Sequence, residues 1–174
     1  MSIRNILTEP DPLLRKMCIS VEKVDNDIRK LMDDMVETMY EAPGIGLAAI
    51  QIGVLKRVIV MDVSKDSQKK DPLFIVNPEI TFKSEKKTTY EEGCLSLPGY
   101  FAEVERPAEC HLNYQDYNGK FKKLKTVGLL STCIQHEVDH LNGILFIDYL
   151  SKLKRTMIVK KLSKHKKSLE RIVV

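Results

Sequence analysis

No apolar run in this 174-residue sequence approaches the ~20 residues that a membrane-spanning helix needs, so no membrane role is expected. The opening, MSIRNILTEPDP, lacks the basic-then-apolar pattern of a secretory signal, and Glu9 and Asp11 are unlike a transit peptide. The chain is therefore expected to work in the cytoplasm, where it is made. Its four cysteines, Cys18, Cys94, Cys110 and Cys133, lack the paired spacing of a disulfide framework or a four-thiolate zinc site. They read as free thiols or metal ligands, each by default a small buried hydrophobe. No repeat, low-complexity tract or linker divides the sequence, so residues 1–174 are expected to form one domain.

Hydrophobic residues at 43% and charged residues at 30% describe a globular protein. The net charge of +4 hides an asymmetry. Residues 152–174 carry nine Lys/Arg against the single acid Glu170, a local +8 that leaves −4 for residues 1–151. Such a run is either a solvated helix face or a contact for a polyanion, which gains affinity through counterion release.

Residues 26–41, NDIRKLMDDMVETMYE, place Ile28, Leu31, Met32, Met35 and Met39 at helical spacing and stop before Pro43-Gly44. The stretches 57–63 and 73–82 are rich in β-branched residues and read as strands. Residues 110–127 alternate on both sides of Asn118-Gly119, a hairpin signal. A helix is predicted over 127–142, closed by Asn142-Gly143. The basic tail, with Leu153, Met157, Ile158, Leu162 and Leu169, reads as an amphipathic helix over about 152–171. Strands followed by a buried helix predict an α+β fold.

The helix over 127–142 has two apolar stripes, Val127, Leu130, Ile134, Val138 and Leu141 beside Leu129, Cys133, His136 and His140. A helix apolar on more than one side is buried. Two buried histidines need partners for their ring nitrogens, and a metal ion satisfies one nitrogen of each. His136 and His140 are four apart, share a face, and have Glu137 beside the first. Asp139 is expected to face away and pair with a Lys or Arg. His111, in a strand, and His165, in the tail, have no ligand-like neighbours. A catalytic site needs a third protein ligand and a position for water. Cys94 in the glycine-flanked YEEGCLSLPGY, Cys133 one turn before His136, and Asp148 downstream are all candidates, and spacing does not choose among them.

Three stretches, GIGLAAIQ (44–51), EEGCLSLP (91–98) and QHEVDHLNG (135–143), resemble the three signature motifs of peptide deformylases, in the family's order. PDPLLRKMC (10–18) and LFIDYLSKLKR (145–155) extend the likeness over nearly the whole chain. The resemblance implies antiparallel sheets packed around a central metal-bearing helix, with a C-terminal helix. It implies a bacterial cytoplasmic hydrolase that removes the formyl group from N-formyl-methionyl nascent peptides. It makes Cys94, His136 and His140 the metal ligands, with Fe2+ the physiological ion and Zn2+, Ni2+ or Co2+ able to substitute. Glu137 would be the base and then the acid, while Gln51 and the Leu95 N–H would meet the oxyanion. Ile45, Gly46, Glu92 and Leu95 would flank the substrate backbone, and Leu129 and Cys133, with the ring of His136, the methionine side chain. A monomer is expected, with the basic helix as a contact for the ribosome.

One departure stands out. Many family members carry an Arg three positions after the Pro of the second motif, where this sequence has Phe101. Arg106 matches another basic position and is expected to form a structural ion pair. Two other function classes remain as rivals, a zincin-type metallopeptidase with its third ligand downstream of the helix, and a basic nucleic-acid module with a closed structural zinc site.

Overall fold

Residues 2–64 and 69–172 are described by the structure, a computed structural model, with the side chains of 165–172 excepted. His165, Lys166, Lys167, Leu169 and Arg171 of the basic tail therefore lie outside the described side chains.

The methionine-rich periodicity becomes helix α1 (Asn26–Glu41), started by Asp25, whose carboxylate accepts from the Ile28 N–H at 3.0 Å. Ile28, Met32, Met35 and Met39 are buried on one face, against strands β1 (Gly46–Ala48) and β2 (Val58–Met61). These join β3 (Leu73–Lys83), β6 (Glu109–Gln115) and β7 (Phe121–Val127) in an antiparallel sheet of order β1-β2-β3-β6-β7. Strands β4 (Lys87–Gly93) and β5 (Phe101–Pro107) form a second, two-stranded ladder. The β6–β7 connection turns at Asn118-Gly119 as expected, though through a longer loop than a two-residue turn. Asp116 Oδ1 accepts from the N–H groups of Asn118 and Lys120, and Gly119 takes the left-handed position at φ +77°.

Helix α2 (Gly128–Leu141) touches strands of both sheets, and ten of its fourteen residues are buried. It ends as predicted at Asn142-Gly143, with Gly143 at φ +73°, and a Cβ there would stand 2.5 Å from the Arg15 carbonyl oxygen. Val127 is not part of this helix: it is the last residue of β7, 67% exposed. Its apolar side chain falls in phase with the helical stripe without belonging to it. The architecture is thus the expected α+β arrangement of antiparallel sheets about a buried helix, completed by α3 (Lys152–Ile172).

Helix α3 departs from the expected stripe. Leu162 is buried and Ile158 and Val159 are partly so, against Leu97, Val104, Leu145, Phe146 and Ile147. Leu153 and Met157, at 72% and 50% exposure, are left uncovered. Among the described side chains the helix meets the body through Ile158, Val159 and Leu162, and its first turns project an apolar pair among exposed lysines.

Candidate active site

The turn after β4 is closed by a hydrogen bond from the Leu97 N–H to the Cys94 carbonyl, at 2.9 Å. It presents the Cys94 thiol to the two histidines of α2. Ligand atoms of Cys94, His136 and His140 lie within 4.8 Å of one another, with Cys94 Sγ 3.2 Å from His140 Nε2. The other two candidates for third ligand are elsewhere. Cys133 Sγ lies 3.8 Å from the Ile45 carbonyl oxygen, and Asp148 is paired to Arg15 at 2.6 Å and Arg155 at 3.2 Å.

The surroundings of this trio suit a cation. Glu92 Oε2 stands 2.8 Å from His136 Nδ1, which fixes the ring and leaves Nε2 for a metal. Burial opposes a charge on His136, but its hydrogen bonds to Cys94 and Glu92 outweigh that and hold its pKa up. Burial, with the positive charge of His136 and Arg106, pushes His140 well down, toward the neutral form that binds metal. One thiolate and two imidazoles make a borderline-soft donor set for a divalent ion, three ligands strong. The residues present fit the group.

Glu92 has a task besides its expected place along the substrate. It borders the cavity, but its carboxylate is turned inward to Arg106, whose Nη2 donates to Oε2 at 3.0 Å while Nε serves Oε1. Arg106 Nη1 donates in turn to Asp139 at 2.8 Å, the pairing anticipated for both residues.

Glu137 is 4% exposed, and among the described residues its Oε2 has no hydrogen-bond partner. Burial pushes its carboxyl up to about 7, with the Glu92 and Asp139 charges helping and His136 and Arg106 opposing. It faces β1 at Gly46, where a Cβ would collide with Glu137 Oε1, so any larger residue there would push the carboxylate from this position.

Gln51 lies in a short 3-10 turn (Ala49–Ile52) after β1, 1% exposed. Its Oε1 accepts from the Ala48 N–H at 2.8 Å, which orients the amide so that Nε2 faces Ser96 Oγ at 3.1 Å and Cys94 Sγ at 3.5 Å. The Leu95 N–H, one residue beyond the thiol, donates to no group among the described residues. The two loops are braced from outside by the N-terminal segment: the Leu7 N–H donates to the Gln51 carbonyl at 2.7 Å and the Glu9 N–H to the Ser96 carbonyl at 2.9 Å. The brace and Ser96 carried no signal in the sequence, because backbone hydrogen bonds leave no residue pattern.

A cavity of about 440 Å³ opens beside the trio. Ile45, Gly46, Leu95, Leu129 and Cys133 border it as expected, and so do Tyr90 and Thr132, which sequence reasoning missed. Thr132 was detectable, since it lies one turn before His136 on the same helical face. Among the described residues no Lys or Arg lines the cavity; Phe101, 66% exposed, packs over Gly93 at its rim.

A cysteine and two histidines that could hold a metal ion, with a buried unpaired carboxylate beside them, are the donor set of a metal-dependent hydrolase. Sequence comparison narrows the class. The polypeptide deformylase family matches residues 3–156, and the chain belongs to that family of enzymes. It is 63% identical over 174 residues to the peptide deformylase of Pelagibacter ubique, covering 100% of both chains. It is 55% identical over 168 residues to that of Rhizobium meliloti, covering 97% of each. The crystal structure of the Ehrlichia chaffeensis peptide deformylase in complex with actinonin is similar at TM-score 0.91 and 47% identity, over 95% of this chain and 98% of that one.

Proposed function

We propose that this chain removes the formyl group from the N-terminal formyl-methionine of newly made peptides in the bacterial cytoplasm. The observation that carries this reading is the free carboxylate of Glu137, buried beside the Cys94/His136/His140 trio in a cavity bordered by strand edges. Among the described residues β1 pairs only with β2, and β4 only with β5, so each has an edge that an extended peptide can join. Ile45 and Gly46 lie along one such edge and Gly93 and Leu95 at the end of the other. Leu129, Cys133 and the His136 ring bound the space for the methionine side chain.

Cys94 Sγ, His136 Nε2 and His140 would hold the ion, Fe2+ by family likeness with Zn2+, Ni2+ or Co2+ able to replace it. When bound, such an ion supplies Lewis-acid charge, lowering the pKa of water from about 15.7 toward ~7 and polarising the formyl carbonyl. Glu137 takes the proton of the attacking water at a carboxylate oxygen and returns it to the departing amine nitrogen. The Leu95 N–H and Gln51 Nε2 donate to the formyl oxygen as it gains charge. Burial of Glu137 keeps bulk water from competing for its proton.

A zincin peptidase would need a ligand after the helix, and Asp148 is engaged by two arginines. Formate release from formyl-Met-Ala-Ser, with none of the acetyl analogue cleaved and one equivalent of metal present, tests the reading. Equal cleavage of the acetyl peptide would overturn it. The exposed cations Lys152, Lys154, Arg155, Lys160, Lys161 and Lys164 of α3 support a salt-sensitive contact with the ribosome, a polyanion.

A further inference from the structure

The space that would hold the first side chain is not uniformly apolar. Thr132 stands on the cavity face of α2, one turn before His136 and one turn from Leu129. It is 4% exposed, and among the described residues its Oγ1 has no hydrogen-bond partner. A helical hydroxyl usually bonds back to the carbonyl one turn earlier. Thr38 in α1 does so, donating to the Asp34 carbonyl at 2.7 Å, and Ser163 in α3 donates to Val159 at 2.8 Å. Thr132 does not. A buried hydroxyl is seldom left without a partner, because nothing offsets its desolvation.

The neighbouring polar groups leave this role to Thr132. The Cys133 thiol is directed at the Ile45 carbonyl, and Tyr90 is only half-buried. Gln51 Nε2 is turned to Ser96 Oγ and Cys94 Sγ. Rotation about χ1 exchanges Oγ1 with Cγ2 between the two wells a helical threonine populates, so the hydroxyl can be turned to an occupant.

We propose that Thr132 donates a hydrogen bond to an acceptor on the peptide's first side chain. The pocket then favours a side chain with an acceptor near its end, the sulfur of a thioether and more strongly the oxygen of its sulfoxide, over a hydrocarbon of equal length. A thioether sulfur is a weak acceptor and a sulfoxide oxygen a polar one. A hydrocarbon offers the hydroxyl no acceptor at all. The inference rests on the deformylase reading and names a residue of that side-chain space, Thr132, as a determinant of which side chains it prefers.

The test compares formyl-Met-Ala-Ser, its methionine-sulfoxide analogue and its norleucine analogue as substrates of the metal-replete protein. Thr132→Val keeps the shape and removes the donor; Thr132→Ser keeps the donor. The ratio of kcat/KM for sulfoxide over norleucine should fall about tenfold in Thr132→Val, the worth of one hydrogen bond, and stay within about twofold of wild type in Thr132→Ser. Thr132→Ala, which also lacks the donor, should show the same fall and replaces the valine protein should that not fold. An unchanged ratio in the donor-free variant would overturn the proposal while formyl-Met-Ala-Ser is still turned over. Formate from none of the three peptides would instead overturn the deformylase reading, and this inference with it.

Discussion

Arg106→Met removes the cation that holds the network behind the metal ligands. The guanidinium is 3% exposed, binds Glu92 through two nitrogens and Asp139 through the third, and lies 4.7 Å over the Tyr149 ring. Methionine refills much of the aliphatic volume but leaves the Glu92 carboxylate, its side chain 5% exposed, facing only His136. Removing one partner of a buried pair costs about 3–5 kcal/mol, since the other charge stays buried. At about 2–4 °C per kcal/mol for a chain of this size, Tm should drop by roughly 6–20 °C. The metal site feels it too. Glu92 orients His136 at 2.8 Å, and loss of such an outer partner lowers metal affinity about 10–100-fold. Thermal unfolding of the metal-free protein and competition with a chelator read the two effects separately. Adding Glu92→Gln to Arg106→Met neutralises the stranded carboxylate and should recover much of the lost Tm without restoring metal affinity. An Arg106→Met protein within about 2 °C of wild type, with unchanged affinity, would refute the reasoning.

Glu137→Gln should keep one equivalent of metal while kcat falls at least ~10²-fold; near-native deformylation by that metal-replete variant would falsify the proton-shuttle role. Gln51→Leu should lower kcat by ~10²–10³ with metal intact, whereas loss of metal would make the glutamine a prop for Cys94 rather than an oxyanion donor. Asp62 offers a pH test. Burial raises its carboxyl, but the Tyr40 hydroxyl and bonds from Ser64 and Asp71 outweigh that and bring it to about 2. A depressed folded pKa stabilises above the unfolded value near 4, and the contribution, roughly 2 kcal/mol, is lost as pH falls from about 4 through 2. Urea unfolding of Asp62→Asn should therefore show a flatter decline than wild type across that window, and parallel curves would refute it. Changing Lys154, Lys160, Lys161 and Lys164 to Gln should weaken ribosome association at low salt and leave turnover of a short formyl peptide intact. Neutralisation is preferred to truncation here because Leu162 is buried against Leu97 and Phe146, so a cut at residue 153 would open the body. Ribosome binding unchanged across several salt concentrations would sink the contact.

Helix α1 was legible to the residue because the local cues agreed, one apolar face and a Pro-Gly stop, and the structure adds the Asp25 cap. The metal trio was legible only in part. The i, i+4 histidines announce themselves within one helix, but Cys94 comes to them across β5, β6 and β7, and no local spacing encodes that return. Only likeness to a family chose it over Cys133 and Asp148. Periodicity misled where two elements meet in phase, at Val127. It also misled at Leu153 and Met157, where a stripe exists and no described residue covers it. Both failures are tertiary, since a pattern states which side chains share a face and not what faces them. At Thr132 the shared face was informative and went unread. The face that carries His136 and His140 also carries this threonine, so the geometry that sets two histidines beside Cys94 sets Thr132 at the wall of the adjoining space. Chemistry drew notice to the histidines, whereas a helical threonine passes for filler until its hydroxyl is seen to be buried and unpaired.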